Sequence, residues 1–402
     1  MVAVKGAEIL ICGAGIIGLT VARQLLKDGY KDIVIIEKED APGRHASGRN
    51  SGVLHAGVYY MPDTLRAKSC LRGNMLMKEY CRERGLPLFE SGKVIVAKNE
   101  TEIPILKELL KRATANGARV ELIDERQLNE IEPAAKTCAT ALYSYDTAVV
   151  DPKAVLMALY DDLLKTGKVT IIKNTQFKGV RGSATCMTTN GAIAFGTFIN
   201  AAGAYSDKVA HAFGVGSQYS LVPFKGIYRK LRPDSVSMIR GSIYPVPDIR
   251  NPFLGVHFTR GIDGSVYLGP TAIPALGREN YGILKGIDSE ALEILRRELV
   301  LFSENPKFRE VAFTEPKKYL FKYFFEDARV LVKDLEPKDV VPSDKAGVRP
   351  QLVDWKTKEL VTDFIVVKDG NSVHVLNSIS PAFTSSMDFA RVIVNNYIKN
   401  AA

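Results

Sequence analysis

The chain opens on a nearly unbroken apolar run, Ala7-Glu8-Ile9-Leu10-Ile11-Cys12, that stops at Gly13-Ala14-Gly15-Ile16-Ile17-Gly18. A short apolar run bounded by glycine is the pattern of a buried strand. From Ile16 to about Lys27 the apolar positions fall at helical spacing, and Gly29 marks the stop. A second apolar strand, Asp32-Ile33-Val34-Ile35-Ile36, closes on Glu37. The same reading predicts helices over 63–84 and 101–116, with Ile103, Ile105, Leu106, Leu109 and Leu110 on one face of the latter. Gly92 to Ala97 reads as a strand, as does Ala141 to Val150, and Asp151-Pro152 opens a helix that runs through Lys165. β patterning returns at 168–173 and 192–202. From Pro223 onward come several short runs, at 227–231, 242–245, 255–259 and 265–269. Short strands separated by turns predict an antiparallel sheet.

These elements predict an α/β fold, with a Rossmann-like domain interleaved with a substrate domain built on an antiparallel β-sheet. The first domain takes 1–85, 146–220 and 336–402; the second takes 86–145 and 221–335. The opening strand, turn and helix carry a nucleotide site. Gly13 permits the tight turn, Gly15 lets backbone N–H groups approach a pyrophosphate, and Gly18 lets the helix pack closely on the strand. The phosphates would sit at the helix N-terminus, beginning at Ile16, where free N–H groups favour negative charge. Glu37 can accept the hydroxyl protons of an adenosine ribose.

This triplet serves NAD and FAD alike. The residues after Glu37 separate them, because an NAD domain continues with regular βα units. Here Lys38 leads into a glycine-rich and polar stretch that contains His45, Ser47, Arg49, Asn50, Ser51 and Gly52. Such a segment suits a backbone laid along an extended cofactor.

Gly43 to Tyr60, GRHASGRNSGVLHAGVYY, resembles the flavin-contacting segment of the FAD-dependent D-amino-acid oxidase superfamily, and within it the L-2-hydroxyglutarate dehydrogenase/oxidase family. Further stretches agree in order: Phe198 to Ser206, which includes Ala202 and Gly203; Asn251 to Arg260 with Leu268 to Thr271; and His374 to Ser386. The resemblance implies an FAD-dependent enzyme that oxidises L-2-hydroxyglutarate to 2-oxoglutarate by hydride transfer to flavin N5. An amine or amino-acid oxidase, or a glycerol-3-phosphate dehydrogenase, shares the flavin signatures and differs only in the pocket. A non-redox or RNA-modifying flavoprotein is the more distant alternative.

The chemistry narrows the candidate residues. Hydride transfer from a 2-hydroxy acid needs a base, a carboxylate anchor and orientation. The chain holds only five histidines, and His55 and His257 fall inside the family-like stretches. His211, on a predicted helix, and His374, in an apolar strand, read as structural. A guanidinium grips a carboxylate in two parallel hydrogen bonds. Gly347-Val348-Arg349-Pro350-Gln351 resembles a superfamily strand near the active site, and this resemblance makes Arg349 the first anchor, with Arg260 and Lys225 as candidates for a second carboxylate. Tyr60, Tyr228 and Thr271 could add hydroxyl donors. At the C-terminus Ser380, Pro381, Ala382 and Thr384 form a polar turn that feeds a helix, a device for holding negative charge on a reduced flavin. Thr384 or Ser385 would cap that helix.

With 402 residues, 46% of them hydrophobic, the chain is long enough for two or three domains. Five cysteines without a CxxC pair or zinc spacing imply reduced thiols and no metal site. A net charge of +9 is spread without basic blocks, which argues against a nucleic-acid partner. Cytoplasm is the expected compartment, since neither a signal-peptide core nor an apolar run of about 20 residues is present. The resemblance also implies a quinone or another electron acceptor and contact with the inner face of the membrane, and one stretch suits such contact. Lys317 to Phe325, KKYLFKYFF, joins lysines to aromatics, and on a helix Leu320, Phe321, Phe324 and Phe325 make one stripe that suits a core face or an interfacial anchor.

Overall fold

The computed structural model describes residues 6–248 and 253–399; Asn251 and Pro252 of the third family-like stretch lie outside them. The chain divides into two compact units, one of residues 1–49, 152–221 and 350–402, the other of 50–151 and 222–349.

The first unit is built on a sheet whose central strand is Gly6–Cys12. It pairs in parallel with Gly191–Asn200 on one side and Ile33–Ile36 on the other, and Ile33–Ile36 pairs in parallel with Val169–Ile172. Ser372–Asn377 joins Gly191–Asn200, also in parallel. Ile9, Leu10 and Ile11 are all buried, as a parallel strand covered on both faces requires. Helix Ile16–Lys27 packs against Pro152–Lys165 and Ala382–Ile393. Phe177–Arg181 and Thr185–Thr188 extend the sheet as an antiparallel flap. His374 is buried, between Ser372 Oγ at 2.9 Å and Asn200 Nδ2 at 3.3 Å. It is structural, as its apolar strand implies.

The second unit holds a larger sheet, in the order Val340–Asp354, Tyr219–Leu231, Val266–Leu268, Phe258–Arg260, Ser242–Pro245, Lys93–Val96, Thr140–Ser144, Val120–Asp124. The first two strands lie in this unit for most of their length. Antiparallel pairing dominates, but Lys93–Val96 and Ser242–Pro245 run in parallel, which the short-strand pattern does not reveal. Alternation along the strands sorts side chains onto two faces. Val94, Val96, Ile243, Phe258 and Leu268 pack on helix Phe321–Arg329 through Phe324, Phe325 and Ala328, with Leu331 just beyond the helix in the same cluster. On the opposite face Ile95, Ala97, Tyr244 and Val246 pack against Leu106 and Leu109 of helix Ile103–Ala115.

The unit boundaries differ from the sequence expectation at one large segment. The sequence places residues 50–85 in the cofactor domain, yet Val53–Leu54 pairs with Ala148–Val150, which in turn pairs with Leu88–Phe89. Helix Leu65–Glu83 is tied to the same place: Asn74 Nδ2 donates to Leu54 O at 3.0 Å and to Asp146 O at 3.1 Å. These long-range bonds carry no periodic signature in sequence.

Candidate active site

In the first unit the glycine turn is sterically dictated. Gly13 has φ +111°, and a Cβ there would stand 2.5 Å from Ala201 O. A Cβ on Gly18 would collide with the Gly13 carbonyl oxygen. Gly15 is different: its added Cβ would meet only Ser47 Oγ, at 3.1 Å. Gly15 also serves as the N-cap of helix Ile16–Lys27 and supplies no side-chain cap. Ser47 Oγ accepts the Ile16 N–H at 3.0 Å. Glu37 folds its carboxylate over the turn, taking the Ala14 N–H at 2.9 Å and the Glu39 N–H at 3.0 Å. A carboxylate offers about four acceptor sites, so two remain for a ribose. The turn thus fits a dinucleotide.

The rest of the polar segment is organised by its own hydrogen bonds. His45 Nε2 and Lys38 Nζ both pair with Glu39, at 2.8 and 2.9 Å. Arg49 is exposed, its Nε donating to Arg44 O at 2.8 Å. In the second unit Asn50 Oδ1 accepts the Gly52 N–H and Ser51 Oγ the Val53 N–H. Back in the first unit, Ala202 N donates to Asn200 Oδ1 and Gly203 takes φ +56°. Ser380 and Pro381 lead into helix Ala382–Ile393, whose N-cap is Pro381 with no side-chain cap. Thr384 and Ser385 are buried one turn in and do not cap it, contrary to expectation. At this end Ala382 N donates to Ile379 O at 2.7 Å and Ser385 N to Pro381 O at 2.9 Å.

The chemistry-bearing side chains gather in the second unit. Tyr244 stacks on His257, with ring centroids 3.8 Å apart and planes 25° apart. His257 is buried, and its Nδ1 lies 2.8 Å from Gly255 O. A carbonyl only accepts, so Nδ1 carries the proton and Nε2 keeps its lone pair. Burial, with the Lys93 charge adding to it, lowers the His257 pKa to about 4. His55 is lowered to about 3 by burial, then by Lys93 and His257. Both imidazoles are neutral through the physiological range.

Arg349 stacks over Phe253 at 5.0 Å, and Arg66 over the buried Tyr60 ring at 4.7 Å. Burial and the neighbouring Arg66 charge hold the Arg349 pKa down, to about 10. Two guanidiniums therefore press on one another beside a tyrosine. Tyr228 is buried, its hydroxyl pushed up by burial and by Tyr244. His55, His257 and Tyr228 thus form one group and Arg349 and Tyr60 another, joined through Tyr59, which neighbours both Tyr60 and Lys93.

Three candidate substrate anchors are already engaged in bonds within the second unit. Arg260 Nη1 donates to Val236 O at 3.2 Å and Ile239 O at 2.8 Å. Being three positions from His257 on the same run, it falls on the other face of the sheet. Lys225 is buried, with Nζ on Gly282 O at 2.8 Å and Asn280 Oδ1 at 3.3 Å. Thr271 Oγ1 accepts the Ile227 N–H and donates to Lys225 O. All three serve as internal ties. Conversely Tyr59, inside the Gly43–Tyr60 stretch, belongs to the cluster, as do Arg66, Lys93 and Tyr244, to which no motif in the sequence points.

The FAD dependent oxidoreductase family profile matches residues 8–395, nearly the whole chain. The chain belongs to the FAD-dependent oxidoreductase family. Within it, the mitochondrial L-2-hydroxyglutarate dehydrogenase of Nematostella vectensis is 36% identical, with 96% of this chain and 90% of that protein aligned. That of Homo sapiens is 34% identical, over 96% and 88%. The chain is thus a member of the L-2-hydroxyglutarate dehydrogenase group of this family. Among solved structures, L-α-glycerophosphate oxidase from Mycoplasma pneumoniae with FAD bound superposes with a TM-score of 0.77 at 24% identity, over 98% of this chain and 95% of that one. Like other members of the family, the chain is FAD-dependent. Gly13, Gly15, Gly18 and Glu37 are the residues that fit the adenosine diphosphate of that cofactor.

The two glycines differ in what they protect, which gives a direct check. Gly15→Ala is expected to weaken FAD binding at least tenfold, about 1.4 kcal/mol, while leaving the melting temperature of the flavin-free protein in place. Gly18→Ala is expected to lower both. Flavin titration and thermal melts of the two variants read the difference; equal FAD affinity in Gly15→Ala and the parent would remove Gly15 from the phosphate site.

Proposed function

We propose that this protein oxidises the dicarboxylate L-2-hydroxyglutarate to 2-oxoglutarate. The observation that carries the reading is the meeting of two guanidiniums, Arg66 and Arg349, with two neutral histidines in one unit. Two neighbouring guanidiniums offer paired N–H donors that match two carboxylates. A substrate with two carboxylates fits that pair better than an amino acid, whose ammonium would add a third cation.

In this reading Arg349 grips one carboxylate and Arg66 the other, with the Tyr60 hydroxyl beside them. His55 takes the proton of the C2 hydroxyl. His257 offers its Nε2 lone pair to the same hydroxyl and, fixed by Gly255 and Tyr244, keeps it oriented. Tyr228 closes the cluster from its strand. Bound FAD supplies the acceptor for the two electrons and the hydrogen that leave C2. On the first unit, Lys38, His45, Ser47 and Arg49, with Ala202 and Gly203, are the candidates to hold the cofactor after Glu37. In the second unit the candidates are Asn50, Ser51 and Gly52. Ser380, Pro381, Ala382 and Thr384 place helix N–H groups where negative charge arises on reduction. Anaerobic mixing with L-2-hydroxyglutarate is expected to bleach the flavin, while L-amino acids and glycerol 3-phosphate do so at least a hundredfold more slowly. Equal bleaching by glycerol 3-phosphate would assign the cation pair to a phosphate instead.

The electron acceptor in this reading is a quinone, reached at a lipid surface. The run at 317–325 splits between core and surface. Phe324 and Phe325 are buried, and Lys318 is tied to Glu315 and Asp327. Leu320 at 62%, with Tyr319 and Tyr323, remains exposed, as do Leu292 at 79%, Leu299 and Phe313 on the packed helices Ala291–Glu304 and Pro306–Thr314. Exposed Lys317 and Lys322 flank them. Clustered apolar side chains with lysines are the composition of a peripheral lipid contact. Among the described residues no helix is long and apolar enough to cross a membrane. Co-sedimentation with phosphatidylserine vesicles is expected at low salt and to be lost in Leu292→Glu/Leu320→Glu. If the parent stays in the supernatant at low salt, this surface does not meet lipid.

A further inference from the structure

Lys93 opens the strand Lys93–Val96 and is only 1% exposed. Among the described residues its Nζ has neither a hydrogen-bond nor an ion-pair partner. It is held instead between two phenol rings, 4.5 Å from the centre of Tyr59 and 4.7 Å from that of Tyr244. Tyr244 also stacks on the His257 ring. One phenol thus neighbours both the cation and the imidazole, and Tyr59 lies against the same cation. Burying an ammonium without a counter-ion is among the more costly arrangements in a protein interior. A methionine would fill the same space at no electrostatic cost, so the charge itself needs a use.

We propose that Lys93 is a positioning residue, an internal cation screened from solvent by Tyr59 and Tyr244, whose charge keeps His55 and His257 in the neutral, proton-accepting form. It is too enclosed to touch substrate and acts through its neighbours. The groups that face it leave its charge uncompensated. Tyr244 is raised to about 12 by burial, and Tyr59 is raised further, so both phenols stay neutral. Cys70, from helix Leu65–Glu83, donates its thiol to His55 O at 3.4 Å. Tyr60 carries Arg66 on its ring. Glu132, Tyr143 and Arg240 line a small pocket with Lys93, and the Glu132 carboxylate there accepts the Arg240 and Gly241 N–H groups. The two histidines complete the set. Burial brings the Lys93 pKa down to about 7. It is therefore charged below that pH, the range in which an ordinary histidine with a pKa of about 6.5 would take up its proton. The cation opposes that protonation, and it disfavours retention of the substrate proton once the oxidation is done.

The assignment of His55 as base rests on the function proposed above; the electrostatic role of Lys93 does not. A unit charge across one aromatic ring, at an effective dielectric of about 20, moves a neighbour by about one unit or more. The experiment compares FAD-loaded parent, Lys93→Met and Lys93→Arg, each with ¹⁵N-labelled histidine. Five histidines in the chain make the ring signals assignable by single substitution. In Lys93→Met the titration midpoints of His55 and His257 are expected to rise by at least about one unit. The acidic limb of kcat/KM is expected to move with them, with flavin content retained. Lys93→Arg is expected to restore both. Unchanged midpoints in Lys93→Met would overturn the proposal. Shifted midpoints with an unmoved kinetic limb would uphold Lys93 and instead refute the histidines as base. If Lys93→Met fails to fold, the parent decides: a second inflection near pH 7 in the His257 ring shifts is expected as Lys93 loses its charge, and its absence would overturn the inference.

Discussion

Replacing His55 by glutamine is expected to slow anaerobic flavin reduction by about 10²–10⁴-fold, the usual contribution of a positioned general base, with bound FAD and its absorption spectrum unchanged. His257→Gln is expected to cost less, because it loses orientation and not the proton acceptor. The pH dependence is more distinctive than the rate. Burial and Lys93 hold His55 near 3 and His257 near 4. A group whose pKa is depressed is in its basic form above that value, so kcat/KM is expected to stay level from about pH 8 down to about 5. The acidic limb then lies near 4, not at the ordinary histidine value of about 6.5. So weak a base suffices because the hydroxyl proton leaves as the hydride does: a protonated ketone is a far stronger acid than an alcohol. A limb at 6.5 that persists in both glutamine variants would place the base outside this pair.

The nucleotide turn is legible in the sequence because steric demands there are local. Gly13 and Gly18 are read from a dozen consecutive residues, and the structure shows the collisions that any side chain there would cause. The family-like stretches carry the membership. Substrate anchors are harder, since they depend on which face a side chain takes. Part of that signal is present: His257 and Arg260 differ by an odd number of positions along one extended run, so both could not face the same pocket. Arg66 and Lys93 have no such signal. Arg66 sits on helix Leu65–Glu83 among other basic residues, and Lys93 reads as the polar flank of an apolar strand. Only the pairing of Lys93–Val96 with Ser242–Pro245, remote in sequence, brings Tyr244 to Lys93. The aromatic run at 317–325 divides because a turn ending at Tyr319 and a helix beginning at Phe321 replace the single helix that its spacing implies.

Truncating Arg349 to methionine is expected to lower kcat/KM for L-2-hydroxyglutarate by about 30- to several-thousand-fold, the 2–5 kcal/mol typical when one partner of a buried charge pair is removed. Arg349→Lys keeps the charge but loses the two-pronged grip, and is expected to fall between. Arg66 separates the two carboxylates. If Arg349 holds the one next to C2, its loss harms every 2-hydroxy acid alike. Arg66→Met is then expected to harm the five-carbon dicarboxylate and to spare a monocarboxylate such as L-2-hydroxybutyrate, so the preference between them narrows by at least about tenfold. Burial, and after it the Arg66 charge, lowers the Arg349 pKa in the substrate-free protein. In Arg66→Met the stabilisation that substrate adds to the melting temperature is expected to shrink. Steady-state kinetics with both acids and thermal melts with and without L-2-hydroxyglutarate measure these effects together. Equal losses for the two acids in Arg66→Met would show that Arg66 does not read the second carboxylate.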